Sequence, residues 1–185
     1  ETPVSQATIL FLAFMLVATL RAGVLADRVS KRSIVIAMKA FETLLLAVGV
    51  AALWLAPEES VVPLVVLAGM GLQSGLFGPA KYGILPELLP HHRLSKGNGA
   101  LEMWTFLAII GGTVVGPKLG DLDGVPVATA ASVLVLAAVV GLVASFGIPN
   151  MPRAAPLPGQ KVSLLTAWRA IRDDRTLSLA VLGSA

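Results

Sequence analysis

Five side chains in this sequence have the chemistry to bind or transfer charge and stand where an apolar chain would not place them: Lys39, Glu42, Gln73, Lys81 and Glu102. Each lies inside or at the edge of a long apolar run. A charged group in hydrocarbon costs ~2.5–3.5 kcal/mol or more, so it tends to face a cavity or a partner. Lys39 and Glu42 are three residues apart, which on a helix puts them on one side within reach of each other. Counted from Ser33, they lie ~9 and ~13 Å along their run at 1.5 Å per residue. Lys39 is long enough to snorkel towards the headgroups, and Glu42 is not. Lys81 precedes the end of one run and Glu102 follows the start of the next. Two readings stay open. The charges are structural pairs, Lys39 with Glu42 and Lys81 with Glu102, or they form a site for a charged substrate or a proton. Gln73, near the middle of its run, is a lesser candidate for lining a pathway.

Other chemistries find little support. There is no cysteine, and His91 and His92 are the only histidines, so neither a thiolate nor an imidazole metal centre is expected. No catalytic residues, metal or cofactor are assigned. The net charge of +3 is scattered among apolar spans, which is not the clustered footprint of a nucleic-acid binder.

The elements that hold these residues follow from composition. The 185-residue chain is 56% hydrophobic and 14% charged, with mean hydropathy +0.83. Soluble domains average about 45–50% apolar and about 25% charged. Five apolar segments are complete, near residues 4–22, 34–56, 61–80, 99–117 and 126–147, and a sixth begins near Leu177. Each complete segment has the ~17–25 residues that a membrane-spanning helix needs. None alternates as a lipid-facing strand does. The first is followed by arginines and has no basic stretch before it, unlike a signal peptide. An all-α, multi-pass membrane protein is predicted.

Loop charges orient it. Arg28, Lys31 and Arg32 lie in one connection, Arg93 and Lys96 in another, and Arg153, Lys161, Arg169, Arg172 and Arg175 in a third. Between them, "PEES" has no basic residue and "PKLGDLDG" sets one lysine against two aspartates. Basic residues accumulate in the cytoplasm, so the first segment runs outside to inside. That start implies one preceding helix, and both ends read as cut from a longer chain. Pro86 and Pro90 are expected to close the third helix. Residues 148–175 read as a cytoplasmic linker, proline-rich to about 160. Leu164, Leu165, Trp168 and Ile171 then mark an amphipathic helix, lying on the membrane or packed on the bundle. Residues 176–185 would start the next span.

Three stretches add resemblance to these readings. In "GVLADRVSKRS", Gly23, Asp27, Arg28, Lys31 and Arg32 make a glycine–aspartate–basic turn between two spans. On charge alone it is a cytoplasmic loop. Its spacing resembles the loop between helices two and three of the major facilitator superfamily, G-x-L-a-D-r-x-G-r-[RK], with Ser30 in place of the second glycine. The resemblance implies a gating role for this loop. It also implies a partial facilitator bundle of helices two to six, residues 1–147, plus the start of helix seven, with the C-terminal half as partner. In "GGTVVGPKLG", Gly112, Gly116 and Gly120 share a helix face and Pro117 can bend it; tight helix packing is the simpler role. The stretch also resembles a helix-five motif of facilitator antiporters.

The third stretch is more specific. "PAKYGILPE", followed by a basic turn and then Asn98, Gly99 and Glu102, resembles bacterial lysophospholipid transporters, a facilitator family whose members are in some bacteria fused to an acyltransferase and an acyl–acyl-carrier-protein synthetase. The resemblance implies a protein of the bacterial inner membrane, without enzymatic activity in this chain. It would move a lysophosphatidylethanolamine-like lipid for reacylation. Lys39 and Lys81 would meet the phosphate, and Glu42 and Glu102 would hold the lysines or meet the ammonium. The rival readings are a proton-coupled exporter of drugs or small solutes and a non-transporting membrane domain of a fused acyltransferase.

Overall fold

The computed structural model describes residues 3–56, 61–120 and 124–150, with the backbone alone at 3–6, 24 and 26–28. Helix α1 spans Pro3–Arg28, α2 Lys31–Leu55 and α3 Val61–Gly83. A short α4, Leu85–Leu88, and a 3₁₀ turn, His91–Arg93, lead into α5, Leu94–Gly120, and α6, Val127–Phe146. The described residues contain no strand. Each of the five complete expected spans is a helix among the described residues. Four of the helical stretches are long and apolar enough to cross a membrane: α2, α3 with α4, α5 with its preceding turn, and α6. The apolar part of α1 is shorter, Ala7–Gly23, and still reaches ~26 Å at 1.5 Å per residue. The expected linker beyond residue 150, its amphipathic helix and the start of the next span lie outside the described residues.

One boundary differs from expectation. α3 runs on to Gly83 and carries Pro79 inside it. The chain then breaks at Ile84, and Pro86 sits in the first turn of α4. Proline suits a first turn because its missing N–H would have no helical partner there. Pro86 therefore opens a helix instead of closing one. Pro90 precedes the 3₁₀ turn in extended conformation. The three-residue extension keeps Lys81 in the last turn of α3.

The helices pack in pairs, α1 on α3 and α2 on both α3 and α6. The α1–α3 crossing is close because of two glycines. A Cβ at Gly71 would run into the carbonyl oxygen of Phe11, and one at Gly75 into that of Met15. Bare backbone lets membrane helices approach where no hydrophobic force drives them together. A small core forms at one end from Ile34, Val35 and Ala80, with Met38, Phe77 and Ile148 against it. No described residue of α5 is buried; Trp104, Phe106 and Ile110 are more than half exposed, as lipid-facing residues would be.

Side chains of the basic loop join the helix ends. Lys31 forms an ion pair with Glu87 of α4. Arg32 Nε donates to the Ile148 carbonyl at 2.6 Å, and its Nη2 donates to that of Phe146 at 3.4 Å. The last carbonyls of a helix lack intrahelical donors, and Arg32 supplies one for Phe146, the last residue of α6. These bonds bring the first basic loop, α4 and the end of α6 together at one end of the described helices.

Candidate functional site

Two polar clusters interrupt the apolar helices, and α3 contributes to both. Gln73, Phe77 and Lys81 are spaced four apart on it, so they form one stripe along the helix.

The inner cluster is neutral overall. Lys39 Nζ donates to Glu42 Oε2 at 2.8 Å, and Gln73 Nε2 donates to the same oxygen at 3.1 Å. Gln73 is only 4% exposed. Its amide also reaches the Met38 carbonyl at 3.5 Å, and its Oε1 accepts from Ser74 Oγ at 3.3 Å. Buried polar groups must be bonded in this way, because an unmet one forfeits its hydration. The Lys39 ammonium lies 5.1 Å from the centre of the Phe77 ring, a cation–π distance. Lys39 lies against Gly141 of α6, where a Cβ would stand 3.6 Å from Nζ, in ordinary contact. Lys39 and Glu42 are thus in direct contact, and Gln73 is the third member of their cluster.

The outer cluster, near the basic end, is arranged differently from the expected Lys81–Glu102 pair. Lys81 Nζ donates to Thr105 Oγ1 at 2.7 Å, and the Thr105 hydroxyl in turn donates to the Leu101 carbonyl. Glu102 instead accepts from the Tyr82 hydroxyl. The cause is angular. Successive residues of a helix are turned by about 100°, so Lys81 and Tyr82 aim at different parts of α5, and the tyrosine takes the carboxylate. The Lys81 ammonium lies 5.4 Å from the Tyr82 ring centre. Among the described residues it has no acidic partner. An ammonium held by a hydroxyl and a ring keeps its positive charge available to an incoming anion.

The remaining sequence candidates divide. Lys31 and Arg32 hold helix ends together, as described above. The backbone at Asp27 and Arg28 is helical, but their side chains lie outside the described residues. Gly23 makes no close approach, since a Cβ there would meet nothing within 4 Å. Ser30, where the family has glycine, sits at φ −54° and ψ 127°, a conformation open to any L-residue. Gly112, Gly116 and Gly120 also face open space, and no described helix uses their stripe. Pro117 lies inside α5. Sequence reasoning missed Tyr82, Glu87 and Thr105 as partners, and Gly71 and Gly75 as the close-packing glycines. The last two had a signal in their four-residue spacing. Thr105 had one in its position three residues after Glu102, on the same helix face.

The model of the family described as Major Facilitator Superfamily matches residues 1–185. Among curated proteins the chain is similar to "Lysophospholipid transporter LplT" of Escherichia fergusonii, 42% identical over 103 residues, covering 56% of this chain and 25% of that protein. It is 35% identical over 140 residues to the protein of that name from Photorhabdus laumondii subsp. laumondii, covering 76% of this chain and 32% of that protein. It is 39% identical over 107 residues to the one from Escherichia coli strain K12, covering 58% and 26%. The chain therefore matches about a quarter to a third of the length of these relatives. No solved structure matches it significantly.

Proposed function

The chain belongs to the major facilitator superfamily, and from that premise we propose that it serves a transporter moving a lysophosphatidylethanolamine-like lysophospholipid across the bacterial inner membrane. Its helices and family make it a multi-pass protein of that membrane. The activity proposed is transport, in which no bond of the lipid is made or broken. The named relatives support the substrate class.

One observation carries the proposal: the Lys81 ammonium is bonded to Thr105 and not to a carboxylate. A substrate phosphate can displace one hydroxyl contact at little cost and gain a charge-assisted bond, roughly twice as strong as a neutral one. Glu102, held by Tyr82, stands on the same helix as Thr105 and can accept from a substrate ammonium. The Tyr82 ring beside it adds a second attraction for a cation. A zwitterionic head group fits such a split pair better than a simple anion does. The Lys39–Glu42 pair of α2, joined to α3 at Gln73 two turns from Lys81, would serve as a second station that opens when the lysine leaves its carboxylate.

The test is uptake of labelled lysophosphatidylethanolamine by spheroplasts expressing the full-length protein. Lys81→Ala and Glu102→Gln should each lower uptake about ten-fold or more, the loss of one charge-assisted contact, with membrane insertion unchanged. Full uptake in both stably inserted variants would overturn the head-group assignment.

A further inference from the structure

Beyond the polar clusters, α2, α3 and α6, with Phe11 of α1, line an open apolar cavity of about 380 Å³. On α2 it starts one turn past Glu42, with Leu46, and continues to Leu53. On α3 it starts one turn from Gln73 on the side away from Lys81, with Met70, and continues to Pro63. On α6, Leu134 and Ala131 line it, seven and ten residues before Gly141, the glycine beneath Lys39. Spacings of three, four, seven and ten keep residues on one helix face. The Lys39–Glu42–Gln73 cluster and the cavity therefore follow one another along the same faces of α2, α3 and α6, charged towards the basic end and apolar away from it.

We propose that this cavity takes the acyl chain of the transported lipid while its head group is at Lys39 and Glu42. The proposal rests on the transport reading above and adds a site for the half of the substrate that the charges cannot hold. This succession has the polarity of a single-chain amphiphile, one polar end and one apolar end in line. Its volume is that of one chain. At about 30 Å³ per methylene, close to the share of a water in the liquid, it holds roughly a dozen methylenes. A second chain would have to stay outside, so the cavity itself favours lysolipids over diacyl lipids. Leu46 to Leu53 spans ~10 Å at 1.5 Å per residue, enough for most of such a chain in extended form.

The experiment measures uptake of lauroyl and hexanoyl lysophosphatidylethanolamine by the full-length protein in spheroplasts. Wild type should have the lower KM for lauroyl, because each pair of buried methylenes is worth about ten-fold in affinity. Ala131→Phe fills the end of the cavity away from Lys39. It should raise the lauroyl KM at least ten-fold and leave the hexanoyl KM within two-fold. Val133→Phe, on the exposed side of α6, controls for a bulky ring and should match wild type. If Ala131→Phe fails to insert, Ala131→Leu should give the same shift in smaller degree. Equal KM values for both lipids in every variant would overturn the inference, showing that bilayer lipid or a neighbouring helix fills the cavity, while the transport reading would stand. If wild type took up neither lipid, the transport reading itself would fail and this inference with it.

Discussion

Lys81 and Glu102 lie on facing stretches of α3 and α5 yet take different partners, Thr105 for the lysine and Tyr82 for the glutamate. Opposite charges this near would be expected to join and so neutralise a costly pair within the membrane. Their separation leaves one positive and one negative point for a ligand.

A charge swap tests that separation. If the two residues were a structural pair, Lys81→Glu with Glu102→Lys would restore what each single substitution loses. Because they are not in contact, the double variant should be no better than the sum of the singles, with a coupling under about 0.5 kcal/mol in thermal unfolding. Uptake should also stay low, since the swap reverses the polarity presented to the head group. A coupling above about 1 kcal/mol, with recovery of folding and uptake together, would restore the ion-pair reading.

Gln73 gives a second test. It bonds the Glu42 oxygen that Lys39 also holds, so it keeps the carboxylate placed whether or not the lysine is there. Gln73→Leu preserves volume approximately and removes that bond. A hydrogen bond to a charged group contributes about 1.5–3 kcal/mol, so the unfolding temperature of the purified protein should fall. Gln73→Glu would set a second carboxylate against Glu42 and should lower it further. No loss of stability in either variant would mean that Gln73 does not hold Glu42.

The extent of each helix was legible because the bilayer dictates it: about 20 apolar residues, bounded by charge or proline, admit one structure. The Lys39–Glu42 contact was legible for the same local reason, a three-residue spacing within one helix. Contacts between helices were not. Whether Lys81 or Tyr82 reaches Glu102 depends on the rotation of α3 against α5, and a single residue turns the answer by about 100°. The glycines repeat the lesson. Gly71 with Gly75 and Gly112 with Gly116 share one spacing, yet only the first pair meets a neighbouring backbone. Periodicity names a face and leaves open which helix lies against it.

That contrast is itself testable. Gly71→Ala and Gly75→Ala drive a methyl into the α1 backbone, which cannot yield as a flexible side chain would. Overpacking of this kind costs about 1–3 kcal/mol, so each variant should unfold at a lower temperature and yield less inserted protein. Gly112→Ala, facing open space within the chain, should leave α1–α3 packing untouched. A disulfide between cysteines placed on α1 and α3 would form readily in wild type and in Gly112→Ala, and slowly in Gly71→Ala. Equal rates in all three would contradict the close crossing.

The basic loop supplies the last prediction. Lys31 and Arg32 are neighbours but hold different things, Lys31 the Glu87 carboxylate and Arg32 the carbonyls of Phe146, which ends α6, and of Ile148 just beyond it. The ion pair is about one-fifth exposed on each side; partly solvated pairs contribute about 0–1 kcal/mol. Lys31→Ala should therefore change stability little. Arg32 reaches two carbonyls from two nitrogens of a planar fork, a geometry that a single ammonium does not reproduce. Arg32→Ala should cost more than Lys31→Ala, about 1–3 kcal/mol for bonds made by a charged donor. Arg32→Lys should recover less than half of that loss, whereas Lys31→Arg should be nearly silent. Thermal unfolding in detergent gives the stabilities, and proteolysis near residue 148 reports whether the end of α6 has come loose. Should Arg32→Lys match wild type on both measures, charge alone would explain the residue and the two-carbonyl contact would be incidental.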